Sequence, residues 1–301
     1  MSLGCNCEAG LSNTGRPNCV PIFSVTSSLI MVPLKANDGT LNGVDLSAPV
    51  PTWSTLINEA DSSKRWFPLP QFENVELPKA DSQFEEANSG KMAFLRQGKR
   101  SFSGELWSED STPTLLGKLQ LNRCVDFGMY IIDVNGNLIG SKSNGYLYPI
   151  PVDNPSFDPR FMFATDSSVQ KLMVGFDFDR LFDESTMYMI TPTEAGINFN
   201  DLEGLIDVNL VVDAQVSATS VTISATFEYG TAYNPLKYKG ATTLTDWEIL
   251  DDAGASLGNP TAVTEIADGQ YLLAYGFTPA DNYSVRVDRD GFEGSVSFLA
   301  V

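Results

Sequence analysis

The chain has 301 residues, of which 43% are hydrophobic, and this is enough for two domains that each bury a core. It contains no histidine, which removes the usual general base near neutral pH, every Ser-His or Cys-His nucleophile pair and the commonest metal ligand. A net charge of −19 argues against binding to DNA phosphates, because such binding needs clustered lysine and arginine. Composition therefore favours a non-enzymatic protein with a structural or binding role.

Residues 1–21 are rich in Gly, Asn, Ser and Pro and show no periodicity. We predict that they form an extended arm, which acquires structure by packing on something else. No charged segment followed by an apolar one marks a signal peptide, and the apolar runs are too short to span a bilayer. We therefore expect a chain that is made in the cytoplasm and has no membrane anchor.

The chain has four cysteines, Cys5, Cys7, Cys19 and Cys124, and the first three lie in the arm. Thiolates are good zinc ligands. However, a C-x-C pair followed by one further cysteine lacks the paired C-x₂-C spacing that makes a zinc prediction specific. We expect reduced, partly buried thiols and no metal or other cofactor, with a zinc site or a disulfide as the alternatives.

Residues 22–213 contain many short strand signals and two helical segments, without the rhythm of strand and helix that marks a parallel sheet. One helix is predicted at 53–60 with Thr52 as its cap, and the other at 112–121 with Thr112 as its cap. Strands are predicted at 22–34, 72–77, 92–96, 100–107, 125–134, 137–140, 157–163, 169–179, 186–190 and 202–212. This pattern predicts a mainly β domain, barrel-like or sandwich-like, with two short helices.

The dipeptide Asn-Gly at 135–136 lies between two predicted strands and is the clearest hairpin signal in the chain. The segment from Asp133 to Asn137 also alternates oxygen donors, as the start of a calcium loop does. The twelfth position of that loop would be Asn144, where a bidentate glutamate is expected. The sequence therefore favours a hairpin.

Strand alternation places Asp177 and Asp179 on one face of the strand at 169–179, with Phe176 and Phe178 on the other. A carboxylate pair could carry out acid–base chemistry or hold Mg²⁺. The simpler interpretation is a strand with one wet face and one packed face. That wet face is a candidate wall of a channel.

Basic side chains are concentrated in one place only, at Lys91, Arg96, Lys99 and Arg100. Alternation along the strand would place Arg96 beside the acidic residues at 85–86. These residues form either a solvated strand face or a patch of salt bridges between neighbouring copies. The second interpretation would suit an otherwise acidic chain.

Residues 214–301 show the features of an immunoglobulin-like β-sandwich, with alternating apolar residues at 221–229 and Gly-containing turns between the later strand signals. Tyr283 follows Asp281 by two residues and precedes Val285 by two, which is the pattern of a tyrosine corner. Val285 stands where immunoglobulin domains usually place a cysteine, so Trp247 is expected to pack against it. We predict a core built on Trp247, Tyr283 and Val285.

No phosphate-binding loop, nucleophile elbow or zinc-protease motif is present. Three stretches of sequence resemble the structural proteins of tailed phages that infect Bacteroidota, and this resemblance covers roughly residues 4–212. They are NTGRPNC at 13–19, FEEANSGK at 84–91, and RCVDF with DVNGNLIG between 123 and 140. The architecture is also similar to that of the tail tube proteins of long-tailed phages.

The resemblance implies a tail protein of the virion, assembled in the host cytoplasm, whose rings of six subunits stack into a conduit for DNA. Residues 1–21 would join successive rings, and a strand carrying Asp177 and Asp179 would face the lumen. Its partners would be further copies and other tail proteins, and DNA would pass without specific binding. The sandwich at 214–301 would be an outward accessory.

Two alternatives belong to other classes of protein. One is a head-to-tail connector or a capsid decoration protein, which differs from a tail tube in its symmetry. The other is a carbohydrate-binding adhesin module, since β-sandwiches often bind glycans. An adhesin would need exposed aromatic platforms, for which Trp66 and Trp107 are the candidates.

Overall fold

A computed structural model describes Gly15, Val20, residues 22–231 and residues 233–300. Over these residues the protein is mainly β, with five sheets and three short α-helices. The predicted fold class, mainly β with sheets packed as in a sandwich, is confirmed. Nearly all of the predicted arm at 1–21 lies outside the described residues.

The N-terminal part of the fold extends to residue 205 and contains short strands with three helices. The helices are α1 (Trp53–Ile57), α2 (Pro113–Leu121) and α3 (Pro192–Ala195). The strands are β1 (Thr26–Pro33), β2 (Val44–Asp45), β3 (Phe67–Pro68), β4 (Glu73–Glu76), β5 (Gln83–Glu86), β6 (Met92–Arg96), β7 (Ser101–Trp107), β8 (Phe127–Asp133), β9 (Leu138–Ser143), β10 (Tyr146–Tyr148), β11 (Ile150–Pro151), β12 (Asp158–Met162), β13 (Lys171–Asp177) and β14 (Met187–Ile190).

Two of its sheets pack face to face. An eight-stranded sheet has the order β2-β10-β9-β8-β1-β3, with β11 beside β8 and β14 beside β9, and a four-stranded sheet has the order β12-β13-β7-β4. Every second residue of β7 and β13 points between the sheets, and those side chains share one core with residues of β1 and β8. This core includes Phe102, Leu106, Leu172 and Phe176.

Strand β8 is buried on both faces, since all seven of its residues are buried. Its odd-numbered apolar residues enter the core between the two sheets: Phe127, Met129 and Ile131. Its even-numbered ones enter a second core on the opposite face: Tyr130 and Ile132. A strand covered on both sides requires a continuous apolar run, and FGMYII is such a run.

Aromatic side chains outside the sheet close the second core. Trp53 of α1 packs edge-on against Phe199, with ring centroids 4.7 Å apart, and Trp66 lies 4.8 Å from Tyr130. The indole of Trp53 donates a hydrogen bond of 3.0 Å to the carbonyl of Ala195, so its polar atom is satisfied although the ring is buried. These contacts fix α1 and α3 over the eight-stranded sheet.

The hairpin between β8 and β9 forms as predicted, and its turn uses Asp133 as an acceptor. The Asp133 carboxylate is fully buried and accepts hydrogen bonds from the backbone N–H groups of Asn135 and Asn137 and from the side-chain amide of Asn137. Gly136 adopts a φ of 76°, which a glycine tolerates without strain. The Asp133 carboxylate, which would have been the first ligand of a calcium loop, is thus used within the turn.

The helices agree only partly with expectation. Helix α2 begins one residue after Thr112, whose side chain accepts a hydrogen bond from the N–H of Leu115, so that cap is confirmed. Helix α1 ends at Ile57, three residues earlier than predicted, and the side chain of Thr52 makes no capping hydrogen bond. Helix α3 was not predicted, although its Thr191–Glu194 capping box is a recognisable signal.

The C-terminal part forms two further sheets around one core. Its strands are β15 (Ile206–Ser217), β16 (Ser220–Thr231), β17 (Asn234–Lys237), β18 (Trp247–Asp251), β19 (Ser256–Gly258), β20 (Ala262–Ala267), β21 (Gln270–Ala274), β22 (Asn282–Val287), β23 (Phe292–Glu293) and β24 (Ser295–Leu299). One sheet has the order β20-β21-β16-β15-β23 with β17 beside β16, and the other β19-β18-β22-β24. The predicted core residues Trp247, Tyr283 and Val285 all lie in the core that these sheets share.

The boundary between the two parts differs from the prediction at 213/214. The apolar segment 202–212 was assigned to the first domain, but β15 pairs with β16 and β23. Val208 and Leu210 of β15 pack in the C-terminal core. The two cores therefore separate near residue 205, because the pairing of β15 places its apolar face against the C-terminal strands.

The tyrosine corner is present. The backbone N–H of Thr278 donates a hydrogen bond of 3.0 Å to the phenol oxygen of Tyr283, five residues downstream. Val285 is fully buried in the position of the usual cysteine, and Trp247, also fully buried, donates its indole N–H to the carbonyl of Ala241. The sandwich is thus held by apolar packing and backbone-directed hydrogen bonds.

Ion pairs join the two parts. Arg65, only 7% exposed, binds Glu293 through both terminal nitrogens of its guanidinium, at 2.5 and 3.0 Å. Lys118 of α2 contacts Asp207 at 2.5 Å and Glu228 at 3.1 Å. The bidentate pair fixes orientation as well as distance, so the sandwich is docked on the N-terminal part through directional contacts.

We expect Tyr283→Phe to lower the free energy of unfolding of the sandwich by about 1 kcal/mol or more, because the N–H of Thr278 would lose its acceptor. The measurement is urea denaturation of the full chain. Tyr275→Phe is the matched control, since the Tyr275 hydroxyl reaches its carbonyl partner only at 3.5 Å. Equal stability of the two variants would show that the corner contributes nothing.

We expect residues 206–301 to fold alone and residues 214–301 to fail, because only the longer fragment keeps the full β15 with Val208 and Leu210. The expected result is a cooperative urea transition followed by tryptophan fluorescence for 206–301, and a broad or absent one for 214–301. A sharp transition of equal midpoint in both fragments would contradict the assignment of β15 to this core.

Candidate assembly surface

Strands β5 and β6 form a hairpin that pairs with no other sheet. Phe84 and Phe94 face each other across the hairpin with ring centroids 5.6 Å apart, and Met92 lies on the same face by strand alternation. These three side chains are 54%, 52% and 61% exposed, and none belongs to a core of the described chain. A two-stranded hairpin alone is only marginally stable in water. The apolar face is therefore available to a partner.

The hairpin is anchored to the body at its base. Ala80 donates its N–H to the carbonyl of Lys99, and Lys79 pairs with Arg100 as an isolated bridge. The two chain segments approach so closely that a Cβ at Gly98 would lie 1.7 Å from the carbonyl oxygen of Ala80. Only glycine fits where these two segments cross. The base of the hairpin is therefore tightly packed, whereas its apolar face stays exposed.

Two of the four clustered basic residues, Lys99 and Arg100, form ion pairs within the chain. Glu184 receives Lys79 at 2.8 Å and Arg100 at 2.7 Å. Lys99 bridges Asp153 at 2.5 Å and Asp177 at 3.4 Å, and the Asp153 carboxylate raises the pKa of Lys99. These pairs surround the base of the hairpin, so Lys99 and Arg100 are engaged within one chain, and an ion-pair patch between copies stays a prediction.

The remaining two basic residues lie on the hairpin. Arg96 donates its Nε–H to the side-chain oxygen of Gln83 at 2.7 Å, and not to the carboxylates at 85–86 as expected. Lys91 follows the turn at the tip and makes no ion pair with another described residue. The hairpin therefore carries one unpaired cation at its tip.

The two candidate lumen carboxylates lie at the C-terminal end of β13 and two residues beyond it, and both are engaged. Asp177 accepts the Ser101 hydroxyl at 2.7 Å and pairs with Lys99, which offsets its charge. Asp179 accepts the backbone N–H of Leu181 at 2.7 Å and closes a turn. Phe176 and Phe178 are buried on the opposite face, so the predicted alternation is confirmed. That Asp177 and Asp179 face a lumen stays a prediction.

The outer face of the four-stranded sheet is polar and organised around Glu105. One oxygen of Glu105 accepts hydrogen bonds of 2.8 Å from Asn74, Trp107 and Lys171. The Lys171 ammonium holds the pKa of Glu105 below its usual range and lies 4.5 Å from the centroid of the Trp107 ring. Toward the hairpin this face continues as small side chains, with Ser103 opposite Gly175.

The tryptophans that an adhesin would use are poorly placed for a sugar. Trp66 is only 3% exposed, so its candidacy as a surface platform is wrong. Trp107 is 39% exposed, but Lys171 covers one face of its ring. A glycan platform normally requires an open aromatic face.

Of the predicted cysteine candidates, only Cys124 can be located. Its side chain is exposed and forms no disulfide, whereas Cys5, Cys7 and Cys19 lie outside the described residues. Within the described ranges, no three Cys, Asp or Glu side chains are grouped so that they could hold a metal ion. No helix in that part of the chain is long and apolar enough to cross a membrane.

The apolar hairpin face was not recognised from the sequence. The segment MAFLR at 92–96 was predicted as a strand, and the structure confirms the strand, but nothing in its alternation shows that it is uncovered. One usable signal was present. The segment at 83–96 combines apolar residues with equal numbers of acidic and basic ones, whereas the whole chain carries −19.

No protein-family model matches the chain, and no curated protein matches it either. Among solved structures it is similar to the full ectodomain (Ig1–Ig3) of mouse nectin-like molecule 4. That comparison covers 92% of this chain and 94% of the ectodomain at 9% sequence identity, with a TM-score of 0.18. A likeness at this level carries no argument about fold or function.

We expect Glu184→Gln to lower the free energy of unfolding at pH 7 by about 0.5–1 kcal/mol. Arg100 and, after it, Lys79 hold the pKa of Glu184 below its ordinary value of 4.5. The stabilisation is therefore present above pH 4.5 and lost as the pH falls through the lower pKa of the folded state. Urea denaturation at a series of pH values should show the difference from the unmodified chain shrinking in acid.

The matched control is Glu86→Gln on the exposed hairpin, where no described ion pair is lost. We expect it to leave the unfolding free energy unchanged at every pH. A Glu184→Gln variant as stable as the unmodified chain at pH 7 would contradict a stabilising role for the cluster at the hairpin base.

Proposed function

We propose that the chain is a non-enzymatic structural protein of a tailed phage, the tail tube protein, whose copies form rings of six that stack into a conduit for DNA. The observation that carries this proposal is the apolar face of the β5–β6 hairpin, which no other described part of the chain covers. Exposed apolar surface of this kind marks an interaction site. A protein whose task is assembly needs such a face.

The burial of the rest of the N-terminal part supports an assembling role. Both faces of β8 are covered by the chain's own elements, so the eight-stranded sheet has its core without a partner. The four-stranded sheet instead leaves one face outward, and most of its side chains on β7 and β13 are polar or small, with Trp107 and Met173 as the exceptions. We propose that this outward face lines the conduit, with Asp177 at the end of its strand β13.

Charge supports passage of DNA without binding. The described ion pairs engage most of the cations, and the chain keeps a net charge of −19. A protein of that net charge repels phosphates, so DNA would pass through the conduit without adhering. The sandwich from residue 206 is then an outward accessory, and the partners are further copies and other tail proteins in the virion, assembled in the host cytoplasm.

The test is negative-stain electron microscopy of the concentrated full chain, with residues 1–205 beside it. We expect sixfold rings and stacked tubes from both proteins, since the sandwich has its own core. Twelvefold rings would instead favour a connector, and binding only to preformed capsids a decoration protein. A chain that stays monomeric at every concentration would contradict the proposal.

A further inference from the structure

The sequence contains three Asn-Gly pairs, at 42–43, 135–136 and 144–145. In such a pair the backbone nitrogen of the glycine can attack the side-chain carboxamide of the asparagine, because glycine has no Cβ to hinder the approach. Asparagine is accordingly one of the chemically labile residues of proteins. The reaction needs a carboxamide that can turn and a glycine N–H that is free, so the fold decides which pair reacts.

The pair at 42–43 is held mainly through its asparagine. The side-chain nitrogen of Asn42 donates hydrogen bonds to the carbonyl of Pro33 at 2.8 Å and to that of Ser63 at 2.6 Å. Gly43 lies against Tyr148, since a Cβ at Gly43 would be 2.6 Å from the ring. The carboxamide of Asn42 therefore has to break two hydrogen bonds before it can turn toward the nitrogen of Gly43.

The pair at 135–136 is held through its glycine. Gly136 is buried in the turn between β8 and β9, and its N–H donates a hydrogen bond of 2.9 Å to the carbonyl of Asp133. A Cβ at Gly136 would overlap the side-chain oxygen of Asn198, so that side chain packs directly on the glycine. The nitrogen that would have to attack is thus both hydrogen-bonded and enclosed.

The pair at 144–145 lacks both restraints. It forms the two-residue turn between β9 and β10, and its residues adopt φ values of 49° and 83°, as in a turn of type I′. Both residues are exposed, and a Cβ at Gly145 would meet nothing within 4 Å. Within the described ranges, neither the carboxamide of Asn144 nor the N–H of Gly145 forms a hydrogen bond. The two reacting groups are therefore free to meet.

We infer that Asn144 is a site of spontaneous covalent modification, which converts it to isoaspartate and aspartate while the other two pairs stay intact. The nitrogen of Gly145 forms a bond to Cγ of Asn144, and Nδ2 leaves as ammonia with the proton of the Gly145 N–H, which gives a cyclic imide. Water from the solvent then opens the ring. Breaking the bond between the nitrogen and Cγ gives aspartate, and breaking the bond to the backbone carbonyl carbon gives isoaspartate. Either product carries a new carboxylate, which is ionised at neutral pH.

The modification would act on the edge of the eight-stranded sheet. The carbonyl of Gly145 accepts the N–H of Leu46 at 2.9 Å, directly after β2. Among the described strands, β2 pairs with β10 alone. Isoaspartate adds one carbon to the backbone of the turn that precedes β10, so we expect this contact to weaken and β2 to loosen as the chain ages. This inference is independent of the proposed function.

The test is peptide mapping by mass spectrometry after the full chain is incubated in mildly alkaline buffer made with oxygen-labelled water. Trypsin places each pair in a peptide of its own, because it cuts after lysine and arginine: 36–64, 124–142 and 143–160. We expect 143–160 to exchange ammonia for a labelled oxygen about tenfold faster than the other two, since hydrogen bonds must open before either protected pair reacts. Asn154, the other asparagine of that peptide, precedes a proline, which has no N–H to attack.

Two controls isolate the effect of the fold. The same incubation in concentrated urea removes the fold and keeps the sequence, so the three pairs should react there at similar rates. Asn144→Gly removes the carboxamide and suits the same turn, so its peptide 143–160 should take up no label. Hydrogen exchange should show a faster-exchanging N–H at Leu46 in the aged unmodified sequence than in the aged Asn144→Gly variant.

Equal rates for the three pairs in the folded chain would overturn the assignment of the site. An Asn144 that stays intact in the folded chain and reacts readily in urea would overturn it as well. A preference for Asn144 that is just as large in urea would mean that the sequence, and not the fold, selects the pair. Equal exchange at Leu46 in the aged chain and the variant would overturn the effect on β2. Each of these results leaves the tail tube proposal standing, since none measures assembly.

Discussion

The N-terminal part of the protein depends on one strand that is buried on both of its faces. Successive residues of β8 alternate between two separate cores, so a single backbone segment holds the sheet-on-sheet packing and the helical cover together. Asp133 ends the strand with a buried carboxylate that is satisfied by its own turn. Because both faces of β8 are covered internally, this strand presents no face of its own to a partner.

Ion pairs fix the position of two parts of the molecule that no hydrophobic core holds in place. The cluster of Lys79, Arg100 and Glu184 holds the base of the hairpin, and Arg65 with Glu293 joins the sandwich to the N-terminal part. Such pairs contribute little to stability at the surface, but a bidentate or networked pair fixes geometry. In this chain the cations thus orient projecting elements, and the excess of carboxylates remains to set the long-range field.

Much of the fold could be predicted where a local signal fixes the geometry. The Thr112 cap, the Asn-Gly hairpin and the tyrosine corner each depend on residues within a few positions of one another, and the structure contains all three. The segment 202–212 was misassigned because an alternating apolar strand fits either core, and only its pairing with β16 decides between them. Likewise, Trp66 could not be placed, since its burial depends on Tyr130, which lies far away in the sequence.

The hairpin shows why the assembly surface was the least predictable feature. A strand with Phe84 or Phe94 on one face has the same sequence pattern whether its own chain or another chain covers that face. Alternation of apolar and polar residues indicates that one face of a strand is apolar, but it does not indicate what packs against that face. The difference lies in the tertiary environment, where these rings pack on each other and on no core. An apolar face that the fold leaves open is costly in water unless a partner closes it. The hairpin's neutral charge reduces the repulsion that such a partner of the same kind would meet, so the two properties together favour a contact between copies.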